Sequence, residues 1–359
     1  MNNSFFNEKK ILITGHTGFK GGWLTLWLNN LGSKVVGYSL PLSNKNFFFN
    51  SANINNHCKS YFGDICDYDN LYKVINDERP EIIIHMAAQA LVIDSYEDPL
   101  ATYKTNVNGT INLLNIIRSF KSIKVFLNVT SDKCYLNKNQ KDDFVEHDAL
   151  GGDDPYSSSK ACSEIITNAF RNSFYKKDSN TEVSIATARA GNVIGGGDWA
   201  SNRLIPDLVR AYMNKAYVEI RNPKATRPWQ YVLDPLFGYI KLVEKMYFDK
   251  DSFSDAWNFG PKLTNQQYSV EEIIKEMISQ WDDFKDVKIK YSKSSHYEAK
   301  YLSLNSNKSL EKLGWEQNLN LSNSILFTSN WYKAFIEGED MNIFSLNQIV
   351  KYHQMKGID

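Results

Sequence analysis

The first half of this chain of 359 residues alternates short apolar or β-branched runs with longer amphipathic stretches. Strands that alternate with helices of ten or more residues need crossover connections, so this pattern predicts a parallel sheet covered by helices on both faces. Asp67 and the pair Asp98-Pro99 are typical of helix starts and predict two of the helix N-termini. The predicted strands cover 11–14, 35–38, 81–85, 125–130 and 183–188, and the predicted helices cover 18–31, 68–77, 98–120 and 155–175.

The alternation of predicted strands and helices stops after residue 191, where glycine, proline and asparagine become frequent. Residues 229–260 resemble the first half again, and Ser269 with Glu272 forms a capping box that predicts a helix to about residue 281. A prior of ~150 residues per domain also favours two units. We therefore predict one domain from residues 1–190 with about 229–260, and a second from about 191–228 with 261–359.

Charge and composition exclude several classes of function. The chain carries 41 Lys+Arg against 41 Asp+Glu, whereas a dedicated nucleic-acid binder usually has a basic excess. No apolar run reaches 18 residues and the first ten residues are polar, so we expect neither a membrane span nor a secretory signal. The four cysteines lack metal-ligand spacing and indicate free thiols in a reducing cytoplasm, with no metal site: Cys58, Cys66, Cys134 and Cys162.

Three glycines, Gly15, Gly18 and Gly21, follow the first predicted strand and open the first predicted helix. Glycine lets backbone N–H groups approach a pyrophosphate, and the helix N-terminus adds partial positive charge. The G-x-x-G-x-x-G spacing resembles the extended branch of the short-chain dehydrogenase/reductase superfamily. The resemblance implies a dinucleotide site formed by Gly15, His16, Thr17, Gly18, Phe19, Lys20, Gly21, Asp64, Ile65, Ala87, Ala88, Gln89, Asn106, Tyr156 and Lys160.

The second predicted strand bears on the choice of dinucleotide. It ends in Tyr38 and Ser39, without the acidic residue that usually holds the adenosine ribose of NAD. No arginine follows it to accept a 2′-phosphate, and Asp64 resembles the aspartate that contacts adenine in the superfamily. The sequence therefore favours NAD over NADP.

Tyr156 and Lys160 are four residues apart in a predicted helix and so share one face of it. A tyrosine with a pKa of ~10 needs a decrease of about three units to act as a base near pH 7, and an adjacent ammonium together with a cofactor cation favours the phenolate. Ser131 lies at the end of a predicted strand, where it can share a substrate proton. These three residues resemble the Ser–Tyr–Lys triad of the superfamily.

Two further titratable residues, Asp132 and Lys133, directly follow Ser131. They belong to a set of stretches that resembles the CDP-glucose 4,6-dehydratases, a nucleotide-sugar 4,6-dehydratase branch of that superfamily, over residues 8–315. The resemblance implies a Rossmann-type doubly wound parallel sheet with a smaller mixed α/β C-terminal substrate-binding domain. The stretches include GHTGFKGGW at 15–23, HMAAQALV at 85–92, TSDKCY at 130–135, DPYSSSKACSE at 154–164, ARAGNVIGGGDW at 188–199 and RNPKATRPWQ at 221–230.

The resemblance also implies a reaction on CDP-glucose: oxidation at C4, loss of water across C5 and C6, and hydride return to C6. Tyr156 would take the 4-hydroxyl proton and Asp132 would protonate the leaving 6-hydroxyl. Lys133 takes the position of the C5 base, where most related enzymes carry glutamate, and could serve if its surroundings lower its pKa. Asn192, Arg203, Arg227 and Lys300 are the expected substrate-binding residues.

Other readings remain open. The chain could dehydrate a dTDP-, UDP- or GDP-sugar or act as a 4-epimerase, although Asp132 and Lys133 argue against an epimerase, which expels no water. A non-catalytic NAD-binding regulator would not need the triad. We further expect a cytoplasmic homodimer or homotetramer, assembled through the helices at 98–120 and 155–175, that serves deoxysugar and lipopolysaccharide biosynthesis.

Overall fold

The computed structural model describes residues 4–42, 48–138, 142–175, 182–261, 268–292 and 301–357. Seven parallel strands form the central sheet in the order β7-β6-β5-β4-β1-β2-β3. The order reverses between β1 and β4, which makes the sheet doubly wound, as predicted. The strands are β1 Lys10–Thr14, β2 Lys34–Ser39, β3 Lys59–Phe62, β4 Ile82–His85, β5 Val125–Val129, β6 Ser184–Ala190 and β7 Ala256–Phe259.

Alternate residues of the central strands face two separate cores. Ile11 and Ile13 of β1 pack on the side of α1 (Phe19–Asn30), whereas Leu12 packs on the side of α2 (Tyr68–Glu78). Helices therefore cover both faces of the sheet, and they include α3 (Pro155–Phe174) and α4 (Leu233–Phe248). The remaining α-helices are Phe48–Ser51, Val92–Glu97, Pro99–Tyr103, Gly109–Ile116, Leu204–Met213, Lys250–Phe253, Val270–Gln280, Asn307–Leu313, Leu321–Glu337 and Met341–Lys356.

The predicted helix starts are confirmed by their hydrogen bonds. The carboxylates of Asp67 and Asp98 accept from the amides of Asn70 and Ala101, and Ser269 and Glu272 form the capping box. Two features differ from prediction. Strand β3 lies at one edge of the sheet, and none of its four side chains is buried, so it has no apolar run that would predict it. The predicted helix at 98–120 contains a π-helical turn at Lys104–Asn108.

Smaller elements stand over the carboxyl ends of the central strands. Strand Tyr217–Ile220 pairs with Lys288–Tyr291, Val193–Ile194 pairs with Gln230–Tyr231, and Thr226–Arg227 pairs with Tyr268–Ser269. The C-terminal helix Met341–Lys356 instead packs beside the sheet: its Tyr352 makes an edge-to-face contact with Trp27 of α1. The small elements and the sheet edge together enclose the cleft described next.

Candidate active site

A cleft of about 610 Å³ opens at the carboxyl ends of the central strands, where the sheet order reverses. Ligands of open α/β sheets bind at this kind of switch point. One end of the cleft is lined by the glycine loop, the middle by the residues after β5 and the first turns of α3, and the far end by residues 191–229.

The glycine loop approaches its neighbours too closely for side chains. Gly15 has a φ of +77°, and a Cβ on it would lie 2.7 Å from the amide nitrogen of Ala87. A Cβ on Gly21 would lie 2.1 Å from the carbonyl oxygen of Gly15. Helix α1 has neither a side-chain cap nor an acidic residue in its first turn, so its N–H groups and positive dipole end are available to an anion.

The predicted dinucleotide residues divide into two groups. Those that line the cleft are Gly15, Thr17, Gly18, Phe19, Lys20, Gly21, Asp64, Ile65, Ala87, Ala88, Tyr156 and Lys160. His16, Gln89 and Asn106 are not among the lining residues, and their side chains bond to the walls of the cleft.

The imidazole of His16 is buried behind the glycine loop. Its Nδ1 lies 2.8 Å from Ser39 Oγ and its Nε2 lies 3.1 Å from Ser60 Oγ, while burial lowers its pKa to about 4. A neutral His16 thus holds the loop against β2 and β3. Asn106 similarly binds both backbone groups of Gln89 at 2.9 and 3.0 Å and donates to Ser159 Oγ at 2.9 Å, which ties the wall of the cleft to α3.

Ser131, Tyr156 and Lys160 all line the cleft. Burial raises the pKa of Tyr156 to about 12, and a hydrogen bond with Ser131 and the charge of Arg203 lower it only in part. Burial also lowers the pKa of Lys160 to about 8, against the attraction of Glu164. The chain's own groups therefore keep the phenol neutral, and a base at this position needs additional positive charge.

Asp132 lies in the same part of the cleft and is 2% exposed. Its Oδ1 accepts a hydrogen bond from Ser131 Oγ at 3.0 Å, but its Oδ2 has no partner among the described residues. Burial raises the pKa of this carboxyl although Lys133, Arg227 and Lys20 oppose the rise. An unpaired buried oxygen and a raised pKa suit a carboxyl group to the role of proton donor.

Cations lie on both sides of this carboxyl. Lys20 reaches the interior of the cleft, 5.9 Å from the ring centre of Tyr239, and burial with the charges of Lys160 and Arg203 lowers its pKa to about 8. Arg203 donates to Asp198 Oδ2 at 3.0 Å, and the buried Arg227 donates to the carbonyl of Thr226 at 2.8 Å.

The structure places the other expected residues as follows. Asn192 and Lys133 line the cleft with Arg203 and Arg227, whereas Lys300 lies outside the described residues. Two residues to which the sequence assigned no role stand directly behind the site: Glu164 of α3 and Arg189 of β6 form a buried ion pair at 2.8 Å. The sequence signal for Glu164 is its position four residues after Lys160, which places both side chains on one face of the helix.

The fold and this constellation define an enzyme of the extended short-chain dehydrogenase/reductase superfamily. The model of the GDP-mannose 4,6 dehydratase family matches residues 12–326. The chain belongs to this family, within the nucleotide-sugar 4,6-dehydratase branch.

Individual relatives agree with that assignment. The chain is 43% identical to the CDP-glucose 4,6-dehydratase of Salmonella typhimurium, over 98% of both chains. It is 24% identical to a dTDP-glucose 4,6-dehydratase of Xanthomonas campestris, over 89% of this chain and 92% of the relative.

Among solved structures, the dTDP-glucose 4,6-dehydratase of Bacillus anthracis in complex with NAD has a TM-score of 0.75, at 23% identity over 92% of this chain and 98% of that one. The UDP-glucose 4-epimerase of Bifidobacterium longum with NAD⁺ and UDP has a TM-score of 0.79, at 20% identity over 92% and 100%. These likenesses show the shared fold.

Within the part of the chain that the structure describes, no helix is both long and apolar enough to cross a membrane.

Proposed function

We propose that this chain catalyses the NAD-dependent 4,6-dehydration of CDP-glucose to CDP-4-keto-6-deoxyglucose. The observation that carries the proposal is Asp132, a buried carboxyl with a raised pKa and an unpaired oxygen beside the Ser131, Tyr156 and Lys160 triad. Oxidation at C4 needs the triad alone, whereas expulsion of the 6-hydroxyl as water needs a protonated acid as well. The relative with 43% identity supports CDP-glucose as the substrate.

NAD fits the glycine-loop end of the cleft. The uncapped N-terminus of α1 suits the pyrophosphate, and Asp64 lines the part expected to hold adenosine. The described lining residues at the end of β2, Tyr38, Ser39 and Leu40, carry no cation for a 2′-phosphate, which favours NAD over NADP. When bound, NAD supplies a cationic nicotinamide that takes hydride from C4 and returns it to C6.

We assign the first proton transfer to Tyr156. Its phenolate oxygen removes the proton of the 4-hydroxyl, and Ser131 shares that proton through its hydrogen bond with the tyrosine. Lys160, as an ammonium one helical turn away, favours the phenolate against the cost of burial. A ketone at C4 makes the C5 hydrogen acidic, which prepares the elimination.

Elimination then uses the pair after Ser131. Asp132 gives its proton to the 6-hydroxyl, which leaves C6 as water, and Lys133, which lines the same cleft, removes the C5 proton as its neutral amine. The diphosphate of the sugar nucleotide lies toward Arg203 and Arg227, because guanidinium groups bind phosphate through paired hydrogen bonds, and Asn192 contacts the sugar.

The test is a product analysis. The purified protein is incubated with CDP-, dTDP-, UDP- and GDP-sugars, and mass spectrometry follows the loss of one water. We expect dehydration of CDP-glucose. Dehydration of another nucleotide sugar instead would refute the assignment of CDP-glucose as the substrate. No dehydration of any of these sugars would refute the dehydratase function. Lys133→Met should stop elimination while C4 oxidation continues, and an unchanged dehydration rate would refute its role as base.

We also propose the setting in which the enzyme works. Residues 1–190 with about 229–260 form the NAD-binding part, and about 191–228 with 261–359 the sugar-nucleotide-binding part, although the last helix packs on α1. Apolar side chains exposed on the helices at 99–119 and on α3, namely Leu100, Tyr103 and Ile165, suit self-association as a homodimer or homotetramer. Its place would be cytoplasmic, in the supply of deoxysugars for lipopolysaccharide.

A further inference from the structure

Glu164 and Arg189 form a buried ion pair behind the active site. Each side chain is 3% exposed, and Arg189 Nη2 donates to Glu164 Oε2 at 2.8 Å. Glu164 lies one turn beyond Lys160 on α3, so the two side chains are neighbours on the same face of the helix. A buried ion pair is often no more stable than well-packed apolar residues of similar volume, so stability alone does not explain this one.

The carboxylate of Glu164 is fully bonded. Thr130 Oγ1 donates to its Oε1, and Thr187 Oγ1 donates to its Oε2 at 2.8 Å, in addition to Arg189. These donors outweigh burial and hold the pKa of Glu164 below its ordinary value. Thr130 immediately precedes Ser131, so Glu164 joins the strand end that carries Ser131 and Asp132 to the helix that carries Tyr156 and Lys160.

Arg189 extends the same network away from the cleft. Its Nη1 donates to Tyr135 Oη at 2.7 Å and to the carbonyl of Glu146 at 3.0 Å. Tyr135 Oη in turn donates to Asn258 Oδ1 at 2.7 Å. Asn258 binds the carbonyls of Phe144 and Asn305 at 2.9 and 3.1 Å, which brings β7 and the segments around 144 and 305 into the network.

We propose that Glu164 is a positioning residue of the active site, which keeps Lys160 in its ammonium form and locks the Ser131–Asp132 strand end onto α3, while Arg189 keeps Glu164 ionised. This inference rests on the proposed roles of Tyr156 and Lys160. Neither Glu164 nor Arg189 lines the cleft, so both act through other residues.

The surroundings of Lys160 support this role. Glu164 is the carboxylate that raises the pKa of Lys160, while burial lowers it to about 8. The buried thiol of Cys134 would raise it only as a thiolate, and burial holds the pKa of that thiol well above its ordinary value. The charged or titratable side chains that face Lys160 from its own helix, α1, β4 and the segment after β5 are Tyr156, Glu164, Lys20, His85 and Cys134.

The sign of the effect follows from these contacts. An opposite charge within ~4–6 Å shifts a pKa by about 1–3 units, so loss of the Glu164 charge should lower the pKa of Lys160 by at least one unit. The activity would then fall off at lower pH on the alkaline side, because less Lys160 is an ammonium there. Removal of Arg189 should do the same, since Glu164 without its cation takes up a proton.

The experiment compares pH profiles of kcat for CDP-glucose dehydration in the parent, Glu164→Gln, Arg189→Met and Arg189→Lys. We expect the alkaline limb to move down by about one pH unit or more in Glu164→Gln and Arg189→Met, and to return toward the parent in Arg189→Lys. Ser163→Ala is the matched control: it removes buried hydrogen bonds with Asn128 and Thr110 next to Glu164 but no charge. Ser163→Ala should lower Tm and leave the alkaline limb of the kcat profile at the parental pH.

Direct titration of Lys160 separates this inference from the proposed function. NMR of the ¹³Cε resonance, assigned with Lys160→Arg, reports the Lys160 pKa without any substrate and in an inactive protein as well. A lower Lys160 pKa in Glu164→Gln supports the inference, even if CDP-glucose is not dehydrated. An unchanged Lys160 pKa in folded Glu164→Gln, or a rise in Arg189→Met, would overturn it.

Discussion

Asp132 at the wall of the cleft and Glu164 behind it are both buried carboxyl groups of the same catalytic region, yet burial has opposite outcomes for them. Glu164 accepts from two threonines and an arginine, and its pKa lies below the ordinary value. Asp132 accepts one hydrogen bond from Ser131, has an unpaired oxygen, and its pKa lies above the ordinary value. The difference shows that donors and a paired cation, rather than depth alone, decide whether the pKa of a buried carboxyl is raised or lowered.

The two carboxyl groups therefore suit different roles. A carboxyl that holds a proton can act as an acid, and a carboxylate that holds a charge can position a neighbouring cation. We therefore assign the network around Glu164 to the scaffold and the incomplete bonding of Asp132 to the proposed chemistry. Each of the following substitutions changes one side of the comparison.

The largest effect is expected for Asp132→Asn, which keeps the shape and removes the proton donor. Dehydration of CDP-glucose should fall by roughly 10²–10⁴-fold, while C4 oxidation, followed as transient NADH absorbance, continues. Because burial raises the pKa of Asp132 above its unfolded value, ionisation costs stability as pH rises, so Tm at pH 7 should increase. A variant that dehydrates at the parental rate would remove Asp132 from the mechanism.

Arg189→Met removes the cation of the Glu164–Arg189 ion pair and leaves Glu164 buried without it. The free energy of unfolding should fall by about 3–5 kcal/mol, as measured by urea denaturation, because Glu164 without its cation must take up a proton or stay buried as an uncompensated charge. The double variant Glu164→Gln with Arg189→Met should recover a large part of that loss. Equal losses in the single and double variants would show that the two side chains are not coupled.

A third buried carboxyl, Asp234 at the start of α4, sharpens the comparison away from the active site. Its Oδ1 accepts from the amide of Asn318 at 2.7 Å and from Tyr352 Oη at 2.9 Å, while its Oδ2 has no partner among the described residues. Burial raises its pKa to about 7. Like Asp132, it combines incomplete bonding with a raised pKa.

Asp234→Asn should give the smallest of these effects. The folded state of the parent binds a proton that the unfolded state has released, so stability contributed by this group falls as pH rises from about 4 to about 7. The substitution should remove that pH dependence and raise the free energy of unfolding by roughly 2–4 kcal/mol at pH 8. Parallel stability–pH curves for parent and variant would contradict the assignment.

Much of the scaffold could be predicted because its signals are local. The Asp67 and Asp98 caps, the glycine spacing and the i, i+4 relation of Tyr156 and Lys160 are all contained in a few consecutive residues. Strand β3 escaped prediction because an edge strand with polar side chains has no apolar pattern to reveal it. The wall role of His16 and Asn106 also escaped, because a loop motif does not indicate which side chains turn away from a ligand.

The sequence by itself determined the doubly wound sheet, the glycine loop and the presence of an acid after the triad serine. Only the tertiary structure decided that Asp132 keeps an unpaired oxygen, that Glu164 finds Arg189 from β6, and that Tyr156 stays neutral on the chain's own charges. The physical reason is the distance along the chain over which each kind of interaction acts. Helix caps and side-chain periodicity act over neighbouring residues, whereas desolvation and ion pairing depend on which distant strands and helices are packed around a group.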